Sequence, residues 1–142
     1  MSMAKRVLLL SIRPKYANKI FEGTKSVELR RVRPNIQSGD LIMVYVSSPV
    51  KSLQGILEVD YVIEGELNEL WEQVHAYAGI TKDEFDDYYK NTPTGIGIFL
   101  KSVKKMSNPI GLDKLREKFG NFHPPQSYRY MLPNEVTLYD PV

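Results

Sequence analysis

The sequence contains no cysteine among its 142 residues. That excludes disulfides, thiolate metal sites and cysteine nucleophiles in one step, and it fits a reducing compartment. Its two histidines, His75 and His123, lie far apart and lack the spacing of metal ligands. No metal and no cofactor is therefore expected. No apolar run approaches the ~20 residues that span a bilayer. A basic start precedes Val7–Leu10, as in a signal peptide, but Ser11, Arg13 and Lys15 soon interrupt the apolar run. A first strand of a cytoplasmic protein without a membrane partner is the expectation. Phosphate-loop, dinucleotide-binding and nucleophile-elbow patterns are missing, and Gly95-Ile96-Gly97 reads as part of a strand. Repeats, low-complexity tracts and Gly/Ser linkers are missing too, so residues 1–142 read as one domain.

Charge of one sign is also scarce: the formal net charge is only +2, too little to establish nucleic-acid binding by itself. Its distribution says more. Lys5, Arg6, Arg13, Lys15, Lys19, Lys25, Arg30, Arg31 and Arg33 crowd the first quarter against only Glu22 and Glu28. Residues 61–90 reverse this, with Glu64, Glu66, Glu69, Glu72, Asp83, Glu84, Asp86 and Asp87 facing Lys82 and Lys90. The chain is polarised.

Periodicity gives a coarse order of elements. Val7–Ile12 is an apolar strand. Pro14 suits a first helical turn, Tyr16, Ala17, Ile20 and Phe21 keep helical spacing, and Gly23 stands where a capping glycine belongs. Lys25–Arg31 alternates: Lys25, Val27, Leu29 and Arg31 on one face, Ser26, Glu28 and Arg30 on the other. Ser38-Gly39-Asp40 is a turn, Leu41–Val46 a buried strand, and Gly55–Ile63 another, with Gly65 after it. Leu67, Leu70, Trp71, Val74 and Tyr77 mark a helix within residues 66–78, with Trp71 in the core. Thr81 with Glu84 makes a capping box for a second helix. Gly95–Val103 is a strand, Leu112–Phe119 a helix and Tyr128–Leu132 a final strand. Five or six short strands with inserted helices imply an α+β fold, a small and mostly antiparallel barrel.

The segment from Gly23 to Arg30 carries the most chemistry. A glycine closes a helix, a strand begins at once, Lys25 stands at its mouth, and Glu28 and Arg30 share one face. If that face points into a cleft, its charges must pair with each other or with a ligand.

This G-x-K-x-x-E-x-R pattern resembles the signature of the ASCH domain family, within the PUA-like superfamily. Ser11-Ile12-Arg13-Pro14-Lys15-Tyr16-Ala17, Arg31-Val32-Arg33-Pro34 and Pro124-Pro125-Gln126-Ser127-Tyr128 resemble it as well. The resemblance implies a PUA-like small β-barrel, a cleft beside the signature, and a role in RNA or other nucleic-acid recognition. Fold alone fixes no activity.

The leading expectation is an RNA-binding module. Lys25, Arg30 and Arg129 would orient the ligand, Arg31 and Arg33 would form a rim, and Lys15 and Tyr16 would sit at a helix start. Tyr128, Arg129 and Tyr130 suit base stacking, though core packing serves the two tyrosines equally. Glu28 either reads the ligand or fixes Arg30. The rival is a hydrolase in the same cleft. The resemblance implies two known activities, amidohydrolysis of acetylated cytidine and RNA cleavage. In the amidohydrolases the signature lysine works with a threonine and a glutamate. Lys25 matches the lysine, but Glu28 stands at the threonine's position, Ser26 is the nearest hydroxyl, and the region around Ala78 offers no obvious carboxylate for the helical glutamate. Another arrangement has Glu28 as base and Lys25 stabilising negative charge. A third reading gives the acidic middle a protein partner. Oligomeric state is left open.

Overall fold

The computed structural model describes residues 6–139. Residues 1–5, Lys5 included, lie outside the described residues.

Apolar content drives Val7–Ile12 into an interior strand, β1, buried almost throughout. The chain then enters α1, Pro14–Glu22, with Pro14 in the first turn where a missing N–H costs nothing. Ala17 and Ile20 face the core. Gly23 closes α1 at φ 88°, left-handed backbone that glycine adopts without a Cβ penalty, and its N–H bonds the Ile20 carbonyl. This cap turns the chain straight into β2, Val27–Arg30. β3, Leu41–Val46, follows and pairs with β1 in parallel.

The next two strands are long. β4, Ser52–Glu66, and β5, Thr94–Gly111, pair antiparallel from Ser52↔Gly111 to Glu66↔Thr94. Helices α2, Leu67–Val74, and α3, Lys82–Tyr88, are inserted between them. α4, Leu112–Lys118, leads to β6, Tyr128–Tyr130, and to a last short turn at Val136–Tyr139. Strand order is β2-β5-β4-β3-β1-β6, a mixed sheet curled into a half-barrel. No helix among the described residues is long and apolar enough to cross a membrane.

Three apolar clusters hold the sheet. One centres on Leu8, Leu10, Ile42, Val44, Leu57 and Ile98 beneath α1. A second, with Leu9, Met43, Leu53 and Leu115, lies beneath α4. A third seats α2 and α3 through Leu70, Val74, Phe85 and Tyr89 against Val27 and Leu29. Tyr89 lies so close to Gly95 that a Cβ there would stand 2.5 Å from its ring. Gly95 is the space that lets α3 reach the sheet.

Several elements differ from their sequence patterns. β4 runs through Gly65, which pairs with Gly95. β5 runs eight residues past Val103, although Lys104, Lys105 and Pro109 argue against a strand. Between the pairs Gly55↔Lys105 and Leu53↔Ile110 the register shifts, and Pro109 falls in that irregular stretch where no ladder N–H is needed. α2 stops at Val74, so Tyr77 is half-exposed and stays outside the core. β6 ends at Tyr130, and α4 ends one residue before Phe119. Trp71 is half-buried and packs on the third cluster, 4.8 Å from the Phe85 ring.

Candidate functional site

A cleft of about 910 Å³ opens where β1, β2, β3 and α3 meet the 124–127 segment. Its geometry begins at β2. The alternation expected for residues 25–31 does not hold at the strand's start. β2 begins only at Val27, so Lys25 escapes the pleat and joins Glu28 and Arg30 in the cleft wall. Ser26 turns instead to a separate hollow. Val27 and Leu29 meet the third cluster, so both faces of β2 are covered.

All three signature side chains are withdrawn from solvent: Lys25 is 3% exposed, Glu28 5% and Arg30 9%. Arg30 is the hub. Its Nε and Nη2 lie 2.9 and 2.8 Å from Glu28 Oε2. Nη2 also donates to the Ser11 carbonyl at 2.9 Å, and Nη1 to Ser127 Oγ at 3.2 Å. One guanidinium thus ties β2 to the end of β1 and to the 124–127 segment. Ser11 completes the tie, its Oγ donating to the Pro125 carbonyl.

Lys25 Nζ donates to the Ala78 carbonyl at 2.7 Å and lies 5.6 Å from the centroid of Tyr16. Lys19 Nζ holds the next carbonyl, Gly79. These two lysines fix the α2–α3 connection against α1. Burial pushes the Lys25 ammonium below its ordinary pKa; Lys19 and Arg30 add to this, while Glu28 and Glu84 oppose it. Between the lowered folded value and about 10.4 the unfolded chain binds more protons than the folded one, so stability rises with pH there. Lys25→Met removes that term. Wild-type stability minus Met-variant stability, from urea unfolding, is expected to grow as pH is raised from about 7 towards about 10.4. A flat difference would show that the ammonium is not desolvated.

Glu84 is a cleft residue that sequence reasoning missed. It is both the third-residue partner of the Thr81 capping box and a neighbour of α1. Its carboxylate accepts from Lys15 Nζ at 3.0 Å and from Tyr16 Oη at 3.4 Å. The Thr81 backbone N–H, then Lys15, hold it down to about 2. The capping box was legible, but nothing local shows that its outer oxygen reaches a helix 69 residues away. A carboxylate thus does stand within electrostatic reach of Lys25, and Lys15 is occupied by it.

The remaining wall is cationic and hydroxylic. Arg13, Arg31 and Lys51 line it without an ion-pair partner among the described residues. The Arg31 guanidinium lies 4.1 Å from the Tyr88 ring centroid, with Nε donating to the Tyr88 carbonyl. Lys51 sits at φ 53°, backbone that residues with a Cβ rarely adopt. Ser47, Ser48 and Ser127 supply hydroxyls, and Tyr45 a phenol that burial pushes above its ordinary pKa.

Of the residues singled out in sequence, Tyr16, Lys25, Glu28, Arg30 and Arg31 line the cleft, and Lys15 is at its edge through Glu84. Arg33 does not line it and lies 3.7 Å from Glu64 on the surface. Tyr128 packs against the first cluster. Arg129 turns the other way, into a bidentate pair with Glu135 at 2.8 and 2.9 Å. No metal-holding group of three or more His, Asp or Glu side chains occurs among the described residues.

Comparison with known proteins bears on this arrangement. The sequence model of the ASCH domain matches residues 10–119. A curated relative from Zymomonas mobilis, described as an ASCH domain-containing ribonuclease, is 31% identical over 128 residues, covering 90% of this chain and 86% of the relative. The crystal structure of ASCH from Zymomonas mobilis superposes with TM-score 0.86 at 30% identity, covering 92% of this chain and 91% of that one. The N-terminal domain of Thermococcus gammatolerans McrB, bound to m5C DNA, superposes with TM-score 0.57 at 14% identity, covering 96% of each chain, which speaks to fold alone.

Proposed function

The chain belongs to the ASCH domain family, and from that premise we propose that its cleft binds single-stranded RNA. One observation carries the reading. Five cations and three carboxylates line the cleft, and two of those carboxylates, Glu28 and Glu84, are already held by Arg30 and Lys15. Arg13, Arg31 and Lys51 are left to meet phosphates. The Arg31–Tyr88 plane offers a surface on which an unpaired base can stack. A half-enclosed cleft of about 910 Å³ suits one or two splayed nucleotides and not a duplex.

A second reading, cleavage of the bound RNA, is favoured by the ribonuclease description of the Zymomonas relative. No histidine lines the cleft. Its titratable side chains include Lys25, whose ammonium is destabilised by burial, and Tyr45 and Tyr88, whose phenols burial pushes above their ordinary pKa. In this reading Lys25, when deprotonated, takes the proton of a ribose 2′ hydroxyl as that oxygen bonds phosphorus. The 5′ oxygen leaves and takes a proton from the Tyr45 hydroxyl or from water. The free cations balance the charge that develops on phosphate.

Labelled single-stranded RNA tested by anisotropy at low and moderate salt, with the same samples run on a denaturing gel, separates these readings. Salt-sensitive binding of intact RNA, weakened at least about tenfold in Lys25→Met, is the outcome expected of a binding module. Cleavage slowed about 100-fold or more in the same variant is the outcome expected of the second reading. Wild-type protein that binds no RNA at low salt refutes both.

A further inference from the structure

Where Lys25 lines the cleft, its neighbour Ser26 lines a second hollow of about 470 Å³. Asp60, Tyr61, Gln73, Tyr77 and Phe99 share it. Tyr61 and Phe99 are cross-strand partners on β4 and β5, stacked at 4.4 Å and 12°. Tyr77 meets Phe99 edge-on at 5.9 Å. Phe99 packs onto the third core cluster, whereas Tyr61 and Tyr77 are 47% and 51% exposed. Two large aromatic side chains are thus held in fixed positions without being buried.

The charge lining the hollow is negative. Asp60 is in the hollow, and no lysine or arginine lines it. Gln73 is on α2, with Glu69 one turn before it on the same face and Glu66 at the helix start. Asp60, Glu66 and Glu69 are exposed and have no ion pair among the described residues. Such a field repels phosphate, so the hollow does not suit an extension of an RNA path. Aromatic faces beside a carboxylate attract an ammonium or guanidinium group, because the ring quadrupole and the carboxylate act with the same sign.

We propose that this hollow receives a lysine or arginine side chain from a basic segment of a partner protein. The rings take the cationic head, Asp60 supplies the countercharge, and the acidic face of α2 receives further basic residues of the segment. The proposal does not depend on RNA binding in the cleft.

The test is a titration of the isotope-labelled full chain, followed by NMR. The probes are tetramethylammonium chloride and a short acetylated peptide of alternating glycine with lysine and arginine, each against sodium chloride at equal ionic strength. Shifts confined to Asp60, Tyr61, Tyr77, Phe99 and the start of α2 are expected for both probes. Tyr77→Leu keeps apolar bulk but loses the π face, and it is expected to weaken the peptide about two- to fivefold, as is Asp60→Asn. Tyr61→Trp, which strengthens the π face, is expected to bind at least as well as wild type. Three results overturn the proposal. The first is that neither probe shifts these residues more than sodium chloride does. The second is that Tyr77→Leu binds the peptide like wild type. The third is that single-stranded RNA, and not the peptide, moves the Tyr61 and Tyr77 rings.

Discussion

Arg30→Ala is expected to destabilise the protein by about 3–5 kcal/mol, the range for breaking a buried ion pair from one side. Arg30 and Glu28 side chains are only 11% and 7% exposed, so neither charge is served by bulk water. Removing the guanidinium strands the Glu28 carboxylate and also releases the Ser11 carbonyl and the Ser127 hydroxyl. Arg30→Lys retains a charge but not the fork that reaches three partners, and it should recover only part of the loss. The double variant Glu28→Leu with Arg30→Met removes both charges, and it should be far more stable than Arg30→Ala alone. Urea unfolding of the four proteins measures this. A loss under about 1 kcal/mol for Arg30→Ala, the range of a surface pair, would mean that the cleft wall is solvated.

The strongest local signals in the sequence were those that a few neighbouring residues decide. Pro14 and Gly23 bracket α1, and Thr81 with Glu84 starts α3, because capping is settled within one turn. β1 and β3 were legible because buried strands need unbroken apolar runs. What escaped depends on distant partners. The lysine-rich half of β5 is a strand only because β4 pairs with it. Lys25 faces the cleft because β2 begins two residues later than the alternation suggests, and period-two reasoning cannot locate a strand's first residue.

The site shows the same division. Lys25, Glu28 and Arg30 form a local motif and could be named from eight residues. Glu84, Tyr45, Lys51, Tyr88 and the Ser127 hydroxyl reach the cleft from four other parts of the chain. Arg129 failed for the opposite reason. Its aromatic neighbours in sequence suggested a stacking surface, but its position on β6 turns it away from the cleft towards Glu135. A charged residue between two tyrosines cannot report which side of a strand is solvated.

Neutralising Arg13, Arg31 and Lys51 together, as glutamines, tests what the cleft is for without disturbing its buried pair. All three are exposed, so surface substitution is expected to cost little stability. Their effect on RNA should be large. If these three are the phosphate contacts, log affinity falls with log salt at a slope of about −2 for a single strand, and the variant's slope is close to zero. Raising salt from about 50 to about 200 mM then weakens wild type roughly twentyfold and the variant hardly at all. If the two converge near 1 M salt, their affinities differ roughly 500-fold at about 50 mM. Arg31 alone should account for more than its phosphate, since Gln also removes the cation lying over Tyr88 on which a base would stack. Equal salt slopes for the two proteins would show that RNA, if bound, is bound elsewhere. Equal slopes with a lower affinity in Arg31→Gln alone would instead mean that the cleft reads a base or a nucleoside and leaves the backbone to solvent.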